Sequence, residues 1–248
     1  MATSSMTLDE LVSQMRQVHG DLLQTVVLYG SAASDEQVKG HSDLNVLVIV
    51  RSLELSTLRT LAQTTRAWHE AGNPSPLTLT TAEWLRSADI FPMEYADILE
   101  RHRVLDGTLP LDGIVVNARD LRLQVEQEAM GKLLRLRRGV MSSGTDGAKQ
   151  SELLRVSLSA LLVIFRAVLR LHNERPPRDA VQLVHTVGQR CGFDATSFEH
   201  VAALVRGKAI EAGKTESILA GYVHGMESLV TYLDQFTPPA PSADSQHS

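Results

Sequence analysis

Apolar positions change their spacing once along this chain, and that change divides it. Thr7 stands three residues before Glu10 and precedes Leu11, Met15 and Val18 at helical intervals, which predicts a capped first helix ending at Gly20. Thr25 to Tyr29 and Asn45 to Val50 are short unbroken apolar runs and read as buried strands joined by a polar loop. Leu58, Leu61, Thr65 and Trp68 return to a helical period up to Gly72, and Asn73-Pro74-Ser75-Pro76 then breaks the chain. Leu77 to Thr80 is a third short strand, followed by a helix around Glu83, Trp84 and Leu85 with Thr81 as its expected cap. The stretch from Phe91 to Ile98 leads into a fourth strand near Arg103-Val104-Leu105.

Strand signals stop near Asn117 and helical ones take over. Leu121, Val125, Ala129, Leu133, Leu136 and Val140 form one stripe on a long helix. A second helix, about Ser151 to His172, is apolar around most of its circumference, as suits a helix with neighbours on several sides. Three more follow near Asp179 to Cys191, Ser197 to Ala212 and Glu216 to Phe236. The expected organisation is a small α/β (α+β) domain with a mixed sheet over residues 1–112 and an all-α helical bundle over 113–236. A Pro-rich polar tail over 237–248 should be disordered.

Composition narrows the classes. With 248 residues, 43% of them hydrophobic, the chain can bury one large core or two modest ones. A formal charge of −5 and a pI near 6.0 argue against a protein built to neutralise nucleic-acid phosphates, and 4% aromatic residues are too few for base-stacking platforms. The most apolar stretch, Val156 to Leu171, is interrupted by Ser157, Ser159, Arg166 and Arg170, so no membrane partner is expected. Met1 to Glu10 has neither a basic start nor an apolar run, and the lone Cys191 has no disulfide partner. Both fit a cytoplasmic location.

The chemistry concentrates in one segment: Val26-Val27-Leu28-Tyr29-Gly30-Ser31-Ala32-Ala33, a polar stretch to Gly40, then Ser42-Asp43-Leu44-Asn45-Val46-Leu47-Val48. This resembles the polymerase-β-like nucleotidyltransferase superfamily, whose pattern is a strand, a Gly-Ser turn, about ten residues and an Asp-x-Asp strand. The α/β-plus-bundle layout is similar to the aminoglycoside nucleotidyltransferases. The resemblance implies that Gly30 and Ser31 hold the phosphates of a nucleoside triphosphate, because glycine lets the backbone approach an anion closely. Residues two apart on a strand point the same way, so Asp43 and Asn45 are the expected catalytic and magnesium positions.

Asn45 departs from that pattern, since an amide offers a neutral oxygen where the superfamily has a second carboxylate; the magnesium site should be weakened. The strand expected to carry a third carboxylate, Leu77 to Thr80, contains none. Glu94, Asp97 and Glu100 follow it, and Glu126 and Glu128 lie on the first bundle helix, where a base would face an interdomain cleft. Two functions follow from the resemblance. One is a nucleotidyltransferase moving a nucleoside monophosphate to an unidentified hydroxyl acceptor; the other is a catalytically degenerate nucleotide-binding or partner-binding regulatory protein.

Other signals are weaker. Arg166 and His172 satisfy the loose Arg-x(4–6)-His spacing of the HEPN ribonucleases, although on a continuous helix they point about 240° apart. Lys132, Arg135, Arg137 and Arg138 read as a solvated face, with Glu128 and Lys132 an ion pair four residues apart. His185, His200 and His224 lie on separate helices without ligand spacing.

Overall fold

In the computed structural model, which describes residues 5–33, 44–211 and 213–238, the chain divides into two compact units, Met1–Asn117 and Ala118–Ser248. The first opens with α1 (Leu8–His19), closed at its start by the expected capping box: the Thr7 side chain accepts from the Glu10 amide while Glu10 accepts from Thr7. β1 (Leu23–Tyr29) and β2 (Asn45–Val50) follow; α2 (Leu55–Thr60) and α3 (Ala62–Glu70) precede β3 (Leu77–Thr80), then come α4 (Thr81–Arg86), α5 (Pro92–Glu100) and β4 (His102–Gly107).

The four strands form a mixed sheet in the order β3-β2-β1-β4, with β1 antiparallel to both β2 and β4, and β2 parallel to β3. Both faces are covered, which explains why β1 and β2 read as continuous apolar runs rather than alternating ones. On one face Val26, Leu28, Val46, Val48 and Val50 pack with Leu11 and Met15 of α1 and Trp68 of α3. On the other Val27, Leu47 and Ile49 pack with Trp84 of α4 and with Tyr95 and Ile98 of α5.

Two local expectations are corrected. The single helix foreseen over Leu58 to Ala71 is α2 and α3, separated at Leu61. The Thr60 hydroxyl donates to the Ser56 carbonyl at 3.1 Å, the side-chain competition that loosens a helix where Ser and Thr accumulate. The cap of α4 is Thr80, not Thr81. Its hydroxyl accepts from the Glu83 amide at 3.2 Å, and Glu83 accepts from the Thr80 amide at 2.7 Å, so the last residue of β3 also starts the next helix.

The second unit contains α6 (Ala118–Ser143), α7 (Gly147–Leu171), α8 (Ala180–Cys191), α9 (Thr196–Val205) and α10 (Thr215–Gln235). Leu121, Val125, Ala129, Leu133 and Leu136 of the expected stripe are buried. α6 and α7 are joined by residues 144–146, and Gly139 of α6 meets the side chain of Leu153 so closely that a Cβ there would displace it. Leu158, Leu161, Phe165 and Val168 of α7 are buried, with the Phe165 ring against Phe198 of α9, which in turn packs on Tyr222 of α10. Of the expected tail, residues 239–248 lie outside the described residues.

Candidate functional site

The sheet brings the second half of the expected motif to the first by register. Tyr29, the last residue of β1, pairs with Asn45, the first of β2, and also with His102 of β4. Strand alternation places Asn45 on the face of Leu47 and Ile49, which is the face that α4 and α5 cover. β1 is followed by Gly30, whose φ of +77° lies in the left-handed region where a side chain is strained. A turn of 3-10 helix, Gly30–Ala33, begins there.

A Cβ added to Gly30 would lie 3.2 Å from Oδ2 of Asp97 and 3.5 Å from Nδ2 of Asn45. Gly30 thus leaves open a space lined by the Asn45 amide and by a carboxylate of α5. The Asp97 side chain is placed there by the end of its own helix. The Gly30 amide donates to the Arg101 carbonyl at 3.2 Å, fastening the turn to the end of α5. The Arg101 guanidinium, 12% exposed, then reaches the other Asp97 oxygen, Oδ1, at 3.3 Å. Glu100 stands 3.8 Å from Arg101 Nε.

α5 is fixed in its turn by its aromatic neighbours. Trp84 and Tyr95 stack at 4.3 Å, the Tyr95 hydroxyl donates to the Trp84 carbonyl at 2.6 Å, and Trp84 Nε1 donates to Pro110 at 2.7 Å. Glu94 and Asp97, three residues apart, share one side of the helix. Both act on Tyr29: burial pushes its hydroxyl up to about 12, and the charges of Glu94 and then Asp97 add to the rise. At the start of β2 the Leu44 amide donates to the buried Asn73 side chain at 3.1 Å, so Asn73 sets how the chain enters the strand.

Of the four residues expected from sequence, Gly30 and Asn45 are brought together. Asp43 lies outside the described residues, as does the Ser31 side chain. Sequence reasoning left Asp97 as one acid among several; its spacing to Glu94 and Arg101 on a helix closing onto β4 was the signal available. Among the described residues no three His, Cys, Asp or Glu side chains form a group suited to a metal ion.

The remaining candidates are engaged elsewhere. Glu126 pairs with Arg122 at 2.9 Å and Glu128 with Lys132 at 3.3 Å, while Arg137 meets Glu227 at 2.8 Å. His172 follows the last turn of α7, and its Nε2 lies 2.7 Å from the Tyr232 hydroxyl. His185 contacts Gln189 and Glu199. Cys191 is buried, and burial pushes its thiol up to about 12, away from the thiolate that reactive cysteines present.

No protein-family model and no curated protein sequence matches the chain. Solved structures do. One is the crystal structure of spectinomycin adenyltransferase AAD(9) from Enterococcus faecialis with ATP and spectinomycin. It is similar over 92% of this chain and 98% of that one, with a TM-score of 0.59 at 13% identity. The chain has a nucleotidyltransferase-like fold. Within this fold the small mixed sheet is followed by a helical region, and no helix among the described residues is long and apolar enough to cross a membrane.

Proposed function

We propose that the chain binds a nucleoside triphosphate with magnesium at the end of the sheet where β1 and β2 meet. The observation that carries this reading is the left-handed turn at Gly30, seated beside Asn45 on the adjacent strand. Such a turn lets backbone amides approach phosphate oxygens, and the Ser31 hydroxyl would add a donor. ATP in the structure of the adenyltransferase of similar fold supports a nucleotide as the ligand.

The space left by the absent Gly30 side chain is lined by the Asp97 carboxylate and the Asn45 amide, whose oxygen, after a half-turn of the amide, would join the carboxylate as the hard donors magnesium takes. Asn45 and Asp43 would hold the ion, which when bound would offset negative charge on the phosphates. In the transfer that this site would carry, an acceptor hydroxyl oxygen forms a bond to the α-phosphorus. The bond from that phosphorus to the bridging oxygen breaks, pyrophosphate leaves, and the hydroxyl proton passes to a nearby carboxylate.

A second reading, a nucleotide-binding protein with little or no turnover, is favoured by two particular features. The Asn45 amide carries no charge, and β3 brings no acid. Losing one electrostatic element from such a site commonly costs about 2.7–4 kcal/mol of transition-state stabilisation, or two to three decades in rate. Pyrophosphate release measured with ATP, magnesium and a panel of hydroxyl acceptors, beside a thermal-shift series with the same nucleotides, tests both. Magnesium-dependent stabilisation with slow or absent release supports the binding reading. Robust release that Asp43→Ala abolishes supports the enzyme, and the absence of any nucleotide effect removes both.

A further inference from the structure

We infer that Asp97 supplies the negative charge that position 45 lacks, so that the Asn45 amide and the Asp97 carboxylate together form one side of the cation-binding part of the nucleotide site. This rests on the proposal that the site binds a magnesium–nucleotide complex.

Two observations converge on it. First, the two side chains address the same point, since the position of a Gly30 Cβ lies 3.2 Å from Asp97 Oδ2 and 3.5 Å from Asn45 Nδ2. A half-turn of the amide presents the Asn45 oxygen to that space instead. Secondly, the carboxylate is oriented. Arg101 engages Oδ1 at 3.3 Å while its own carbonyl accepts from Gly30 at 3.2 Å, so Oδ2 is the oxygen directed at the turn.

The chemistry of the exchange is conservative. A strand that keeps its hydrogen bonds and packing can replace a carboxylate by an isosteric amide if a second carboxylate arrives within the same few ångströms. The amide oxygen keeps its place, and the neutralising charge has moved from β2 to α5. Magnesium binds through few carboxylates and retains several waters, so a carboxylate acting through a coordinated water serves the same end. Arg101 does not cancel this role. It lies on the far oxygen and keeps the carboxylate aimed, as an outer partner does for a metal-binding acid.

The experiment is a calorimetric titration of the full chain with a non-hydrolysable ATP analogue, with and without magnesium, in four proteins: wild type, Asp97→Asn, Asn45→Asp, and the double exchange Asn45→Asp/Asp97→Asn. The wild type should bind the analogue at least tenfold more tightly with magnesium. Asp97→Asn should lose most of that gain, and the double exchange should recover it, because the charge then stands on β2. The recovery separates charge supply from a structural role through Arg101, which the exchange does not restore. An unchanged magnesium gain in Asp97→Asn overturns the inference while leaving nucleotide binding intact, and a double exchange that stays as weak as Asp97→Asn also overturns it. Wild-type protein that does not bind the analogue under either condition removes the nucleotide reading itself.

Discussion

Gly30 carries the heaviest local constraint in the first unit. Alanine there would hold a Cβ in the left-handed region and press it to 3.2 Å from Asp97, and the backbone part alone costs about 1–2 kcal/mol. Gly30→Ala is expected to lower the thermal midpoint by several degrees and to weaken nucleotide binding by more than the loss of stability accounts for. Thermal melts with and without ATP and magnesium measure the two effects separately. His19 sets a second expectation. It is 4% exposed, both ring nitrogens are buried without a hydrogen-bond partner among the described residues, and burial lowers its pKa. The folded state therefore favours neutral His19, and the unfolded chain takes up the proton first as pH falls. Stability is complete above the ordinary histidine value near 6.5 and declines below it, by at most about 1.4 kcal/mol per pH unit for one such group. Urea midpoints at pH 7.5 and 5.5 should fall together with pH in the wild type, and His19→Leu should lessen the drop.

The elements were legible where a local rule had one answer. The Thr7–Glu10 box, the β2 run Asn45 to Val50 and the α6 stripe each satisfy a single pattern, and each stands where that pattern places it. Two rules competed at Thr80 and Thr81. Only Thr80 has Glu three residues on, and the same residue also completes β3, so the strand pattern hides the cap. Thr80→Ala should remove that cap and cost about 1 kcal/mol, read as an earlier denaturant midpoint of tryptophan fluorescence, since the buried Trp84 sits in the helix the cap starts. The site was legible at Gly30 and Asn45, which lie on the strands that define the fold. Asp97 was not singled out, because its approach depends on how far α5 runs before β4 and on the Gly30–Arg101 bond. No periodicity in the sequence encodes that distance.

At the scale of the molecule, two units with separate apolar interiors offer two separate readouts. The only two tryptophans, Trp68 and Trp84, are both in the first unit, one on each side of its sheet. Leu161→Ala, a truncation in the buried face of α7, is expected to cost about 2–5 kcal/mol. It should lower the helical circular-dichroism transition and leave the native tryptophan emission unchanged. The order β3-β2-β1-β4 also leaves β4 at a margin of the sheet, with Arg103 and Val104 exposed along it and Asp106 tied to Arg16 at 2.6 Å. An open strand margin is a template for pairing with other chains, and charges along it keep such pairing in check. Shelf life in concentrated solution should accordingly depend on this strand more than on either interior: Arg103→Val would leave the melt nearly unchanged, yet light scattering on storage would rise as chains add to one another edge to edge.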